Sequence, residues 1–286
     1  MRHDHGLSIA RLARAFEEPR STVARWVSRR APSPREVVRR RPVSGNTALI
    51  KRMRELALTD RHRTFGYRRI WALLRREGVR INRKTVYRIM KAEGLTRPRI
   101  WRRPKRPKRV ARMRPERPNR AWQIDMTSFQ LSDLRGVFLV TVIDCCTREI
   151  VGWTLDRRGR AREWTAAVRM AIESRGLDRA ACRKLVLRSD NGSQPCSRAF
   201  VEYLGRVGVR GEYTGYDAPD DNAVVERVIR TIKEEEVWPN VYDTLAEARA
   251  AVAAYVHYYN EDRIHSALDY RTPTEFAAAI TTLAAA

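Results

Sequence analysis

Leu185-Val186-Leu187-Arg188-Ser189-Asp190-Asn191-Gly192-Ser193 passes from an apolar strand into a polar turn within a few residues. An Asp at the carboxyl end of a strand, followed by a Gly-bearing turn, projects into the crevice where open α/β sheets hold their ligands. The stretch closes at Pro219-Asp220-Asp221-Asn222-Ala223-Val224-Val225-Glu226-Arg227-Val228-Ile229-Arg230-Thr231-Ile232-Lys233. Asn222 or Asp221 can cap a helix there, and Val225, Val228, Ile229 and Ile232 form its buried stripe. Glu226, Arg230 and Lys233 follow at i, i+4 and i+7 and share the neighbouring face. One carboxylate and two cations along a helix edge suit a metal ion beside a phosphate backbone. For a helix taken alone, a surface salt-bridge ladder is the plainer alternative.

Upstream, Trp122-Gln123-Ile124-Asp125-Met126-Thr127 alternates as a strand, and Val137-Phe138-Leu139-Val140-Thr141-Val142-Ile143-Asp144 is a long buried run. Glu149-Ile150-Val151-Gly152-Trp153-Thr154-Leu155 pairs back as a third strand. A helix over residues 162–174 precedes the strand that ends at Asp190. A helix over 198–207 and a short strand over 209–213 lead to the Glu226 helix. This order predicts an α/β fold, a mixed five-stranded sheet with flanking helices, over residues 121–240. Beyond Trp238-Pro239, residues 241–286 form a helical tail, with a helix containing 246–259.

The N-terminal part is helical. Residues 1–45 carry two short helices broken at Glu18-Pro19, a pattern open to a helix-turn-helix or to a plain helical hairpin: Leu12, Ala13 and Phe16 line the first, Ser21 can cap the second, and Val23, Trp26 and Val27 line it, before Ala31-Pro32-Ser33-Pro34 breaks the chain. Residues 46–96 read more sharply. Phe65-Gly66-Tyr67 opens a helix with Ile70, Leu73 and Leu74 that ends near Glu77-Gly78. Asn82 caps a second helix with Val86, Ile89 and Met90, stopped by Gly94. Its outward face carries Arg83, Lys84, Arg88 and Lys91. A helix pair whose second member is basic matches a DNA-binding helix-turn-helix, against the alternative of a solvated helical hairpin. Residues 97–120 hold twelve Lys or Arg, five Pro and one acid, Glu116. Proline at that density excludes a regular helix and predicts an extended linker that tracks phosphates.

Over the 286 residues, 58 Lys and Arg face 33 Asp and Glu, a formal charge of +25, so a polyanion is the expected partner and nucleic acid comes before membrane. No apolar run approaches the roughly 20 residues of a membrane span. No signal-peptide core follows Met1-Arg2-His3-Asp4-His5, so the expected compartment is the cytoplasm, at the nucleoid. Cys145, Cys146, Cys182 and Cys196 form no C-x-x-C pair, which argues against structural zinc. The vicinal pair is read as small packing residues on a buried strand.

Three carboxylates stand at strand and helix positions that can converge: Asp125 within the first strand, Asp190 after the fourth and Glu226 on the later helix. An Asp inside an apolar strand is costly to bury unless it is paired or metal-bound. Convergent carboxylates suit two hard divalent cations acting in phosphoryl transfer. Asp144 also ends a strand, but Cys145-Cys146-Thr147-Arg148 behind it looks like a hairpin turn, where Asp serves the local backbone.

These residues, together with Thr64-Phe65-Gly66-Tyr67-Arg68-Arg69-Ile70, Ser189-Asp190-Asn191-Gly192-Ser193, Asp221-Asn222-Ala223 and the terminal Tyr259-Asn260 with Arg263-Ile264-His265-Ser266-Ala267-Leu268, resemble the OrfB-type transposases of the insertion-sequence-three group, within the retroviral-integrase-like DDE superfamily. Thirty-five residues separate Asp190 from Glu226, a spacing specific to that superfamily. The resemblance covers residues 60–276 and implies a ribonuclease-H-like core. It also implies a Mg²⁺-dependent triad of Asp125, Asp190 and Glu226, with Mn²⁺ substituting, and cleavage and strand transfer at element ends. The implied partners are terminal-repeat and target DNA, further copies of the chain on DNA, and a product of an upstream reading frame. Asn191, Arg230 and Lys233 are then expected to contact DNA around the carboxylates. Two positions depart from the family pattern: Gln194-Pro195-Cys196 lacks the usual aromatic, and Arg188 stands where His is common. A tyrosine recombinase is the rival enzyme, but Arg263 and His265 follow Tyr258 and Tyr259 instead of preceding them. A catalytically inactive DNA-binding regulator is the alternative outside catalysis.

Overall fold

Alternation along residues 121–130 sends successive side chains to opposite faces of a strand, and both faces find a partner layer. In the computed structural model, which describes residues 8–16, 20, 21, 23, 24, 47–62, 64–96, 115–214 and 222–285, this stretch is β1 (Ala121–Gln130). It is followed by β2 (Gly136–Asp144), β3 (Ile150–Asp156), β4 (Val186–Ser189) and β5 (Arg210–Tyr213). The sheet order is β3-β2-β1-β4-β5. The β1–β2 and β2–β3 pairs are antiparallel, and β4 adds to β1 and β5 to β4 in parallel. This is the mixed five-stranded, ribonuclease-H-like sheet expected from the sequence.

Contacts divide the chain into Met1–Leu49 and Ile50–Ala286. The first unit contains α1 (Ile9–Ala15). Ser21 is itself helical and so does not sit at a cap. The Glu18-Pro19 break, Trp26, Val27, the Ala31–Pro34 break, residues 97–114 of the basic linker and Asp221 lie outside the described residues.

The helices of the larger unit are α2 (Thr47–Leu58), which begins just before the boundary, α3 (Tyr67–Arg76), α4 (Arg83–Ala92), α5 (Ala161–Ser174), α6 (Arg179–Cys182), α7 (Arg198–Val207), α8 (Ala223–Ile232), α9 (Leu245–Glu261) and α10 (Pro273–Ala285). On one face of the sheet, Trp122 and Ile124 of β1 and Val140 and Val142 of β2 pack against Trp164, Ala167 and Val168 of α5 and Phe200 of α7. On the other, Leu139 and Ile143 meet Val225, Val228, Ile229 and Ile232 of α8 and Val252 and Tyr255 of α9. The α8 stripe is thus the one legible in its sequence, and each such side chain contributes about 1.5–3 kcal/mol by leaving water. Helix α5 lies very close to β3: a Cβ on Gly152 would collide with the Ala167 carbonyl.

The helix pair forms as its capping residues dictate. Asn82 Oδ1 accepts the Lys84 amide at 2.8 Å and starts α4. Gly94, at φ +68°, follows its end in the left-handed conformation that glycine adopts freely. Val86, Ile89 and Met90 are buried, while Arg83, Lys84, Arg88 and Lys91 are exposed. Cys145 and Cys146 lie in the turn after β2, not on a strand: Asp144 ends the strand and Arg148 takes φ 65° to close the turn. Among the described residues, no helix is long and apolar enough to cross a membrane.

Candidate active site

The parallel register places two of the three carboxylates. Strands β1 and β4 pair through Ala121↔Val186, Trp122↔Leu187 and Gln123↔Arg188. Carried two residues further, the same register sets Asp125 opposite Asp190, where the strands end their pairing and the sheet opens. The period of two also gives Gln123 and Asp125 the same face, the one covered by α8.

Gln123 explains how Glu226 arrives there. Its side-chain oxygen accepts the amides of Val224 and Val225, both at 3.1 Å, and so caps the start of α8 from the strand. Asn222, expected as a cap, makes no side-chain cap bond. Its amide instead donates to the Ile124 carbonyl at 3.3 Å. Two β1-to-α8 ties therefore pin the first turn of α8, and Glu226 sits in that turn. Sequence reading passed over Gln123. Its signal was its position two residues before Asp125, with the same facing.

The three charges act on one another. Asp125 is pushed up to about 6, first by burial and then by the charges of Asp190 and Glu226, against the Met126 amide, 2.7 Å from Oδ1, and the Lys233 ammonium. The Asp190 carboxylate accepts the Gly192 amide at 3.2 Å, the turn that its Asp-Asn-Gly sequence favours. Opposite Asp125 in the β1–β2 register, Thr141 is fully buried and its hydroxyl has no hydrogen-bond partner. Among the described residues, no group of three or more Asp, Glu, His or Cys side chains stands close enough together to hold a metal ion. Asp190 and Glu226 both lie within electrostatic reach of Asp125.

Other expected residues divide. Lys233 joins the group, through its charge on Asp125. Arg230 is paired with Glu234 at 2.6 Å on a half-exposed surface, so for this residue the salt-bridge ladder is the arrangement found. The Asn191 amide donates to the Thr214 carbonyl at 2.6 Å and ties the turn to the end of β5. Arg188 bonds Glu212 directly across β4 and β5, at 3.0 Å, so the residue that departs from the family pattern has a structural partner. Asp144 is 1% exposed and accepts four donors: the amides of Asn119, Cys146 and Thr147 and the Trp122 indole. It is a turn carboxylate. Tyr258 donates to the Arg61 carbonyl at 2.9 Å, and Arg263 grips Glu235, so neither is arranged as a tyrosine recombinase would need. On α4, Tyr87 stands 43% exposed among the four cations, its ring edge-on to Tyr67 at 5.1 Å, a feature the charge pattern concealed.

Known proteins match the same regions. Residues 115–215 and 207–273 match models of an integrase core domain, and residues 45–105 match an HTH-like domain. An uncharacterized 31.7 kDa protein of insertion element IS407 from Burkholderia multivorans is 35% identical over 242 residues, 83% of each chain. Transposase InsD of insertion element IS2 from Escherichia coli is 30% identical over 224 residues, covering 74% of this chain and 73% of that one. Among solved structures, a simian T-cell lymphotropic virus intasome in complex with PP2A regulatory subunit B56 gamma aligns over 72% of this chain and 69% of that one, at 18% identity and TM-score 0.49. The HTLV-2 integrase catalytic core domain in complex with magnesium aligns over 56% and 97%, at 18% identity and TM-score 0.44. By its relatives and its domain matches, the chain belongs to the insertion-element transposases with an integrase core, the OrfB-type proteins of the insertion-sequence-three group.

Proposed function

We propose that the chain cuts the ends of its insertion element and joins the freed 3′-hydroxyl to target DNA, with Asp125, Asp190 and Glu226 as the residues that hold divalent cations. The observation that carries this is the β1–β4 register that sets Asp125 opposite Asp190 beside the pinned first turn of α8. The donor set fits the ion: carboxylate oxygens are hard ligands, and Mg²⁺ takes few protein ligands and keeps its waters. Mg²⁺ or Mn²⁺, when bound there, supplies the Lewis acid that polarises the phosphodiester and lowers the pKa of the attacking water.

The chain's own residues do the rest. The three carboxylates fix where positive charge can collect, and Lys233 offers a cation to a DNA phosphate at the edge of that group. Arg83, Lys84, Arg88 and Lys91, on the exposed face of α4, bind the element end, and the twelve cations of residues 97–120 add phosphate contacts between reading and cutting. Asn191 and Arg230 border the same surface, each with a protein partner that DNA would share or displace. The reading extends to several copies acting on one DNA, and to an upstream-frame product that supplies further end recognition.

The test is a labelled duplex bearing the element end, incubated with the full chain and Mg²⁺ or Mn²⁺. Nicking at the 3′ end, followed by joined products, is the expected result. Tight end binding with no nicking in either metal would replace this reading with that of a DNA-binding regulator.

A further inference from the structure

A second polar cluster lies on the same helical rod as Glu226 and takes no part in the carboxylate group. Helix α8 runs on into a π-helical turn, Lys233–Val237, which contains Glu235. Glu235 follows Glu226 by nine residues on this rod, beyond the point where the α-helix gives way to the π-helical turn, and its partners come from the tail and the helix pair instead of from β1.

Glu235 is gripped from two sides. From the tail, Arg263 donates two parallel bonds, Nε to Oε2 and Nη2 to Oε1, each at 2.7 Å, and Tyr255 adds its hydroxyl at 2.8 Å. From the start of the helix pair, the Thr64 hydroxyl donates at 2.7 Å and the Arg69 guanidinium stands at 4.0 Å. Arg263 is 2% exposed and Glu235 7% in their side chains. Further ties flank this centre: Tyr258 to the Arg61 carbonyl, Arg76 to Glu275, and Trp71 edge-on to Tyr270. A bidentate, fully dressed ion pair has one geometry, whereas an apolar contact can slide.

We infer that Glu235 is a positioning residue, the joint that holds the α3–α4 helix pair at a set distance and angle from Glu226. This rests on the proposed function: if α4 reads the element end and the carboxylates cut it, the joint decides which phosphodiester is cut. Thr64 is the reading-side half of the joint, and Arg263 and Tyr255 are the core-side half. Its separation from Glu235 by 171 residues means that only the folded chain brings the halves together.

The experiment compares the wild type with Thr64→Val, which removes the reading-side hydroxyl and leaves the Arg263–Glu235 pair intact, and with Thr64→Ser, which keeps the hydroxyl. Nick positions on a labelled end duplex are read at single-nucleotide resolution. The expected result is one dominant position for the wild type and Thr64→Ser, and nicks spread over neighbouring phosphodiesters for Thr64→Val. Thr64→Val nicking at the wild-type position alone, at any rate, would overturn the inference, because a merely structural role slows the reaction without moving the cut. A second arm does not depend on catalysis. Spin labels at Arg80→Cys and Arg206→Cys, both exposed positions, in a Cys196→Ser background report the distance between helix pair and core. Thr64→Val should broaden that distribution and Thr64→Ser should restore it; a distribution as narrow as that of the wild type contradicts the joint. A wild type that fails to nick would count against the proposed function, and the distance arm would then decide the joint by itself.

Discussion

Two acidic centres on one helical rod handle buried charge in opposite ways. At Asp125, burial together with the charges of Asp190 and Glu226 raises the carboxyl to about 6. At Glu235, burial acts in the same direction, but the hydrogen bonds and charge of Arg263, helped by Thr64 and Tyr255, outweigh it and hold the carboxyl below its usual range. At one centre the protein's own donors and cations outweigh burial; at the other they do not. Perturbed carboxylates cluster at functional sites, and this group lies at the open end of the β1–β4 pairing. Asp144 makes the same point from the other side: it too is a strand-end carboxylate, and its four donors leave it nothing to offer a ligand.

The sharpest way to break the comparison is to make the same change at both centres. Glu235→Gln leaves Arg263 buried beside a neutral amide and should destabilise the fold by about 3–5 kcal/mol. Glu226→Gln removes a charge from a repelling group and should leave stability unchanged or slightly raised. Denaturant midpoints of the two variants check this, and equal losses would erase the distinction drawn here.

The next effect is in the pH dependence of the metal-free protein. Asp125 has its folded pKa raised from 3.8 to about 6. Between those values the folded state binds more protons than the unfolded one, so stability is greatest below about pH 4 from this group and falls as pH rises through 6. The loss is about 3 kcal/mol, at 1.36 kcal/mol per unit. Asp125→Asn should flatten that portion of a stability-against-pH curve, and Mg²⁺ should restore stability to the wild type at neutral pH. A wild-type curve that rises steadily from pH 4 to 7, with the variant parallel to it, would show that Asp125 is not strained.

Smaller effects concern the exposed cations. Arg88→Ala should weaken binding to element-end DNA by about 1–3 kcal/mol if Arg88 reads a base, with little change on random DNA. A gel-shift titration in which both DNAs lose equally would reduce it to a phosphate contact. Arg230→Ala should shift stability by less than about 1 kcal/mol, because its pair with Glu234 is half exposed.

Much of this molecule was legible from periodicity. The strands at Trp122, Val137 and Glu149, the Asp190 turn and the α8 stripe are local patterns, and the fold preserves them. The helix expected near residues 198–207 is there, as Arg198–Val207. What escaped sequence reading depends on register or on distant partners. Gln123 caps a helix 101 positions away, which no local pattern announces. Lys233-Glu234-Glu235-Glu236 looks like a solvated charge run until Arg263 and Thr64 are folded against it. Arg230 and Asn191 neighbour the carboxylates in sequence, but their partners, Glu234 and the Thr214 carbonyl, give them structural work. The apolar surroundings of the vicinal cysteines suggest a strand, but β2 ends at Asp144 and both stand in the hairpin turn that Cys145-Cys146-Thr147-Arg148 also suggests.

The most direct measurement is 3′-end nicking and joining of a labelled element-end duplex by Glu226→Gln and Glu226→Asp, beside the wild type, in Mg²⁺ and in Mn²⁺. Gln keeps the shape and deletes the charge, while Asp keeps the charge and withdraws it by one methylene. If Glu226 completes a cation site with Asp125 and Asp190, both variants lose cleavage and joining by several orders of magnitude, since a displacement of about 1 Å alone can cost on the order of 100-fold. Both should still fold and still bind the end duplex. Nicking by Glu226→Gln at the wild-type rate would contradict the account and remove Glu226 from the site.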